Sequence, residues 1–368
     1  MGVSATAAPF VPRFCPNPAC PFHGEPRASW RWVRAGFFSR QASPHRIQRF
    51  QCRHCRRHFS AQTFHGTYWM KKPQLLLLVA HRLLGCSCFR QIAREHGVSP
   101  QTIMGISARL GRQCLLFHEE LRPKGELGES QALDSFQTFE WSQYHPTLFH
   151  FMVGRESHYI AGFTDSELRR SGSMRESQRR TRARLEVRWG RPDPRAVENE
   201  VANLLEIVTA GATELDLWTD EHRDYPRALR RQRHLEIEHH TISSRAARTT
   251  QNPLFAINLL DALIRHSGAN HKRETIAFSK RRQSAADRLW LFVAWRNYVK
   301  SYSERKRDAT PAMRAGVCDR RWSLKGILEQ RKFPSRIVLP ERWARYYWGL
   351  TPTRCLPRAR AHTCRYAA

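Results

Sequence analysis

Carboxylates are scarce in this chain. Its 368 residues hold 32 Asp and Glu against 62 Lys and Arg, a formal charge of +30 at pH 7. That imbalance argues against a basic main partner and points to a polyanion, with nucleic acid first. Long hydrophobic runs are also missing: stretches such as Leu75-Leu76-Leu77-Leu78-Val79-Ala80 fall short of the roughly 18 to 20 residues a membrane span needs, so no membrane partner is expected. There is no glycine-rich phosphate loop, no fixed-period repeat and no heptad pattern, so ATP, a solenoid and a coiled coil are not implied. Around Pro9, Pro12 and Arg13 the start lacks a secretory pattern, which favours a cytoplasmic, nucleoid-associated protein with reduced thiols. What the chain does have is core-forming material. Eleven Trp and 41% hydrophobic residues exclude a disordered basic tail, and the length suits two or three domains.

Four of the ten cysteines form two close pairs, Cys15-x4-Cys20 and Cys52-x2-Cys55. Reduced pairs at that spacing, with room for a hairpin between them, predict a tetrahedral Zn2+ site in a ribbon over residues 10–64. So small a segment buries little apolar area, and metal binding would supply the missing folding energy. Phe50 and Phe59 are placed to cover the site; His23, His54 and His58 are weaker alternative ligands. Residues 65–122 then read as helical. Tyr68 to Leu84 is expected as a supporting helix, and Ser87 to Ile103 carries a helix-turn-helix pattern. Gly97 makes the turn, Ser99 is the N-cap and Pro100 the first helical residue. A helix starting at Pro100 would offer Gln101, Thr102 and Arg109 to a DNA groove.

From about residue 128 the pattern turns mixed. Strands are expected at Gln131–Glu140, Leu148–Arg155 and Tyr159–Phe163, then a solvated basic loop over Leu168–Pro194 and a helix over Ala196–Ala210. A strand ends at Asp220, a helix starts at Pro226, and another strand lies near Leu235–Ile237. Asp261 falls in an apolar helical pattern, and Gln283–Val299 reads as a final amphipathic helix. Asp134 lies in the first of these strands; Asp216 reads as a turn cap. The predicted class is α/β: an RNase H-like domain over 128–302, a mixed sheet flanked by helices, preceded by the zinc ribbon and a small all-α module. Residues 303–368 read as an appended extension with a basic tail.

The order of these parts resembles bacterial insertion-sequence transposases of the DDE type that carry a zinc ribbon and helix-turn-helix in front. The resemblance rests on Cys52-Arg53-His54-Cys55, Leu217-Trp218-Thr219-Asp220, Asn258-Leu259-Leu260-Asp261 and Arg273-Glu274-Thr275-Ile276-Ala277-Phe278-Ser279-Lys280. It implies a polynucleotidyl transferase in which Asp134, Asp220 and Asp261 hold two Mg2+ ions for DNA cleavage and strand transfer at terminal inverted repeats. Related enzymes place Glu at the third position, so Asp261 departs from the pattern and Glu274 is its rival. Arg245, Arg248, Arg265 and Lys280 are candidate DNA contacts. Double-stranded DNA is the expected partner, with a homo-oligomer assembled on it. The alternative is a catalytically inactive DNA-binding relative that keeps the front modules.

Overall fold

The computed structural model describes residues 10–24, 28–272 and 275–356. Glu274 and Arg273, together with Cys364 and the basic tail beyond residue 356, lie outside the described residues. At the front, β1 (Trp32–Ser39), β2 (Arg46–Cys52) and β3 (His58–Ser60) form an antiparallel sheet in that order. Its small core is made of Cys15, Cys20, Trp30, Phe50, Cys52 and Phe59, with Phe50 and Phe59 stacked at 5.6 Å.

Three helices follow: α1 (Leu75–Leu84), α2 (Phe89–Glu95) and α3 (Pro100–Leu121). The helix expected from Tyr68 thus starts only at Leu75, and residues 68–74 form turns and irregular chain. Between α2 and α3, Gly97 adopts φ 58°, a left-handed conformation that glycine reaches without the Cβ clash, so the chain can reverse there. The Ser99 side chain accepts the Thr102 N–H at 3.2 Å, an N-cap worth about 1 kcal/mol.

A five-stranded mixed sheet flanked by helices makes the larger part. Its order is β6-β5-β4-β7-β8, from β4 (Gln131–Phe139), β5 (Pro146–Gly154), β6 (Ile160–Glu167), β7 (Glu214–Asp220) and β8 (Glu236–Ile242). Strand β5 is antiparallel to both β4 and β6, while β7 and β8 run parallel to β4. Between β6 and β7 lie α4 (Glu176–Trp189) and α5 (Ala196–Val208), and α6 (Tyr225–Leu229) precedes β8. The stretch expected to be a basic loop therefore contains a helix. No residue of α4 is buried, so it lacks the apolar stripe by which a helix is read from sequence; Glu186 links it to Arg169, Arg182 and Arg191 instead.

After β8 come α7 (Phe255–Ser267) and α8 (Arg282–Tyr298), then α9 (Pro311–Arg314), α10 (Leu324–Glu329) and α11 (Glu341–Tyr347). One hydrophobic cluster draws on residues from Leu75 to Tyr347, so α1 to α3 and the expected C-terminal extension share the core of the sheet. Helices α3 and α8 meet closely at Gly111, where a Cβ would come within 2.6 Å of the Asp287 Cα. Trp343 of α11 is fully buried and donates from Nε1 to the Phe163 carbonyl at 2.9 Å. Gly162 makes room for that ring, since a Cβ there would lie 2.3 Å from it. Nearby, buried Asp165 accepts from Arg342 at 2.6 Å and faces Arg282 at 3.1 Å. Paired in this way, the buried charges avoid the cost of isolated ones. Among the described residues no helix is long and apolar enough to cross a membrane.

Candidate functional site

The front sheet brings the four cysteines of the two sequence pairs together. Their sulfurs lie within 4.8 Å of one another, with Cys15–Cys55 at 3.6 Å and Cys20–Cys52 at 4.0 Å. A tetrahedral Zn–S bond of about 2.3 Å requires sulfur separations of about 3.8 Å, so the donor set fits a zinc ion. Trp30 donates from Nε1 to Cys52 Sγ at 3.3 Å. Burial alone would raise the Cys52 thiol, but this bond and the backbone N–H groups of Cys55 and His54 outweigh it and bring the thiol down to about 7. His23 is not a fifth donor: its Nδ1 lies 2.8 Å from the Cys15 carbonyl and its Nε2 2.7 Å from Ser335 Oγ.

The acidic positions are arranged by the period of two in β7. Asp216, Trp218 and Asp220 alternate with buried Leu215, Leu217 and Thr219, so the three share one face. On β4 the parallel register pairs Leu133 with Thr219, and one step further on Asp134 comes beside Asp220. Helix α7 packs against β4 and β5 and carries Asp261. Asp134 responds to both other acids. Its carboxyl is raised to about 7, first by burial and then by the charges of Asp261 and Asp220, against the opposing pull of the Ser135 N–H and Arg248. Tyr225 records the same convergence, its phenol being pushed well above the ordinary range by burial and by Asp134, Asp220 and Asp261. The His222 N–H donates to Asp220 Oδ1 at 3.0 Å.

A buried chain of hydrogen bonds underlies Asp134. Ser135 Oγ contacts Tyr225 OH at 3.0 Å and His150 Nδ1 at 2.6 Å, and His150 Nε2 reaches Ser166 Oγ at 2.9 Å. Burial lowers His150 to about 3, so at neutral pH it is an uncharged link that holds Ser135, and with it the strand at Asp134. Sequence reading missed this chain because its members come from β4, β5, β6 and α6.

A second group on the same face was also missed. Asp216 is no turn cap: the register sets Glu238 beside Asp216 and His240 beside Trp218. His240 Nε2 lies 3.2 Å from Asp216 and 3.3 Å from Glu238. Its ring stacks on Trp218 at 4.4 Å, and Arg155 covers the indole at 4.6 Å. Among the described residues, the groups whose ligand atoms all lie within 4.8 Å are this one and the four cysteines. Asp134, Asp220 and Asp261 are more widely spaced. The signal for the second group was there in the alternation of Glu238 and His240 opposite Asp216 and Trp218, but it becomes visible only once β7 and β8 are in register.

The candidate DNA contacts divide into two sets. Gln101 is exposed and Thr102 half-exposed on the first turn of α3, while Arg245 and Arg248 are exposed after β8 and Lys280 ahead of α8. The Lys280 ammonium rests 3.9 Å from the Phe278 ring centroid. Arg109 turns inward instead, donating to the Gly66 carbonyl at 3.2 Å, and burial lowers its guanidinium to about 10. Arg265 is also held by the fold: it donates to the His271 carbonyl at 3.0 Å and lies 4.4 Å over Phe136. Both arginines already have structural work that a sequence pattern cannot show.

No protein-family model matches the chain, and no curated protein matches it. Among solved structures, it is similar to the simian T-cell lymphotropic virus intasome in complex with PP2A regulatory subunit B56 gamma. The identity is 14% over 63% of this chain and 70% of that chain, with a TM-score of 0.24. So low a score does not establish a shared fold.

Proposed function

We propose that the chain is a DNA transposase of the DDE type, with an RNase H-like catalytic sheet, that cleaves strands at the ends of its own element and joins them to target DNA. The observation that carries this reading is the electrostatic meeting of Asp134, Asp220 and Asp261, which come from β4, β7 and α7 and are far apart in sequence. In a chain of charge +30, three acids gathered in one place run against the overall field, and hard oxygen donors of this kind suit Mg2+. The sheet order supports the same reading: an antiparallel meander with two parallel strands beyond its first strand is the arrangement expected of RNase H-like domains.

In this reading Asp134, Asp220 and Asp261 would hold two Mg2+ ions, whose chemistry would be to lower the pKa of an attacking water or 3′-hydroxyl and to stabilise the leaving oxygen. The protein's own contribution is placement. Ser135 and the His150 link fix β4 at Asp134, and the His222 N–H orients Asp220. Exposed Arg245 and Arg248 supply positive charge where a phosphate backbone would approach. Gln101 and Thr102 on the first turn of α3 would touch the terminal repeat, and the four cysteines would hold one structural zinc.

The test is cleavage and strand transfer with Mg2+ on duplexes carrying the sequences that flank the gene. Asp134→Asn, Asp220→Asn and Asp261→Asn should each lose roughly a hundredfold or more in rate while still binding duplex, because each removes charge stabilisation worth several kcal/mol. Glu274→Gln should keep most activity. An inactive Glu274→Gln beside an active Asp261→Asn would move the third role to Glu274, and full activity in all four would leave a DNA-binding protein without this chemistry.

A further inference from the structure

A second basic surface lies far from the carboxylates in sequence. Between the front sheet and the turns that precede α1 runs a groove of about 580 Å³ whose walls include Arg49, Arg57, His58, Lys71, Tyr68 and Trp69 and no carboxylate. Trp69 is 62% exposed and sits at φ 60°. A bulky side chain in that backbone region is an outlier with an energetic cost, and strain of this kind gathers at ligand-binding positions. Tyr68 meets the indole edge-on at 6.0 Å. Arg57, His58 and Lys71 are exposed beside it.

We propose that this groove binds a short single-stranded DNA segment, with an unpaired base stacked on Trp69 and the flanking phosphates held by Arg49, Arg57 and Lys71. The inference rests on the nucleic-acid reading above and gives it a strand preference. A basic groove alone fits any polyanion, but an accessible aromatic face adds recognition only for a base whose own face is free, and duplex bases are stacked on each other. The volume falls within the range of small-ligand clefts, roughly 300 to 1,000 Å³, which suits one or two nucleotides rather than a duplex.

Fluorescence anisotropy of the full, zinc-loaded chain with a labelled single-stranded oligonucleotide, and with the duplex of the same sequence at equal salt, tests the proposal. Trp69→Ala should weaken single-strand binding about 5- to 100-fold, the loss expected for one stacked base, and leave duplex binding unchanged. Trp69→Phe should restore most of it. Equal losses on both substrates would make Trp69 a duplex contact and overturn the proposal, as would no loss on the single strand. Should Trp69→Ala lose its zinc or its fold, photocrosslinking of the wild type to a 5-iodouracil oligonucleotide decides: a crosslink at Trp69 supports the groove, and crosslinks confined to other segments reject it. Failure of Asp134→Asn to affect cleavage would reject the transposase reading alone and leave this strand preference standing.

Discussion

The two candidate metal sites are built in opposite ways. The four thiols sit on two local knuckles joined by a hairpin, and their spacing already fits a single tetrahedral ion. The acids Asp134, Asp220 and Asp261 come from β4, β7 and α7, and they meet only because a strand register and a helix packing bring them into one field. Where ligands are local, the metal can organise its own surroundings; where they are distant, the fold must exist first. Metal loss should therefore unfold the first region and leave the second standing.

The largest expected effect is at the thiols. A chelator, or replacement of both Cys52 and Cys55 by Ser, should remove one zinc per chain and expose the amides of β1 to β3 to hydrogen exchange, while β4 to β8 stay protected. Structural zinc is worth about 10 to 16 kcal/mol in small zinc domains, more than this ribbon core can replace. An unchanged zinc stoichiometry in the double variant would break the comparison.

Proton binding gives the next largest effect, at the acids. With its carboxyl at about 7 against an ordinary 3.8, folded Asp134 holds a proton that the unfolded chain has already released between pH 4 and 7. At this group the folded state thus binds more protons in that window, and the contribution of Asp134 to metal-free stability should fall as pH rises through it, by at most about 4 kcal/mol. The difference between wild-type and Asp134→Asn melting curves in chelator from pH 4 to 8 isolates this contribution, because other buried groups titrate too. Glu140 and Asp287, also raised to about 7, act in the same direction, and His118, His150, His158 and His271, lowered to about 3 to 4, act in the opposite one. Identical pH dependence in the two proteins would mean that Asp134 holds no proton in this window.

A smaller effect tests how far the sheet depends on distant parts of the chain. Gly162→Ala would put a methyl group 2.3 Å from the Trp343 ring, an overpacking worth about 1 to 3 kcal/mol. Urea unfolding should show that loss, with zinc content unchanged. If stability is unaffected, Trp343 can shift at little cost and the sheet depends less on α11 than the packing implies.

The same contrast explains what could be read from sequence. The cysteine pairs, the Ser99–Pro100 cap with Gly97, and the alternation that ends at Asp220 are local patterns, and each lies where the residues indicate. Asp134 and Asp261 could be named as candidates but not brought together, because their meeting depends on α7 packing against β4. The Asp216, Glu238 and His240 group needed the β7–β8 register for the same reason. Helix α4 has no apolar stripe, so its period was invisible. The segment after residue 303 read as an appended extension because its helices are short, of four to seven residues, yet Trp343 and Tyr346 are among the most deeply buried side chains.

That last contact has a consequence for how the protein is made. Trp343 seals strand β6 from a position 180 residues further along the chain than the Phe163 carbonyl it meets. At synthesis rates of about 5 to 20 residues per second, an edge strand leaving the ribosome waits roughly 10 to 40 s for its cover. A product that stops short of α11 would keep that edge open, an exposed template for aggregation and for proteolysis. Abundance in the cell would then report whether translation ran through α11 before any question of activity arises.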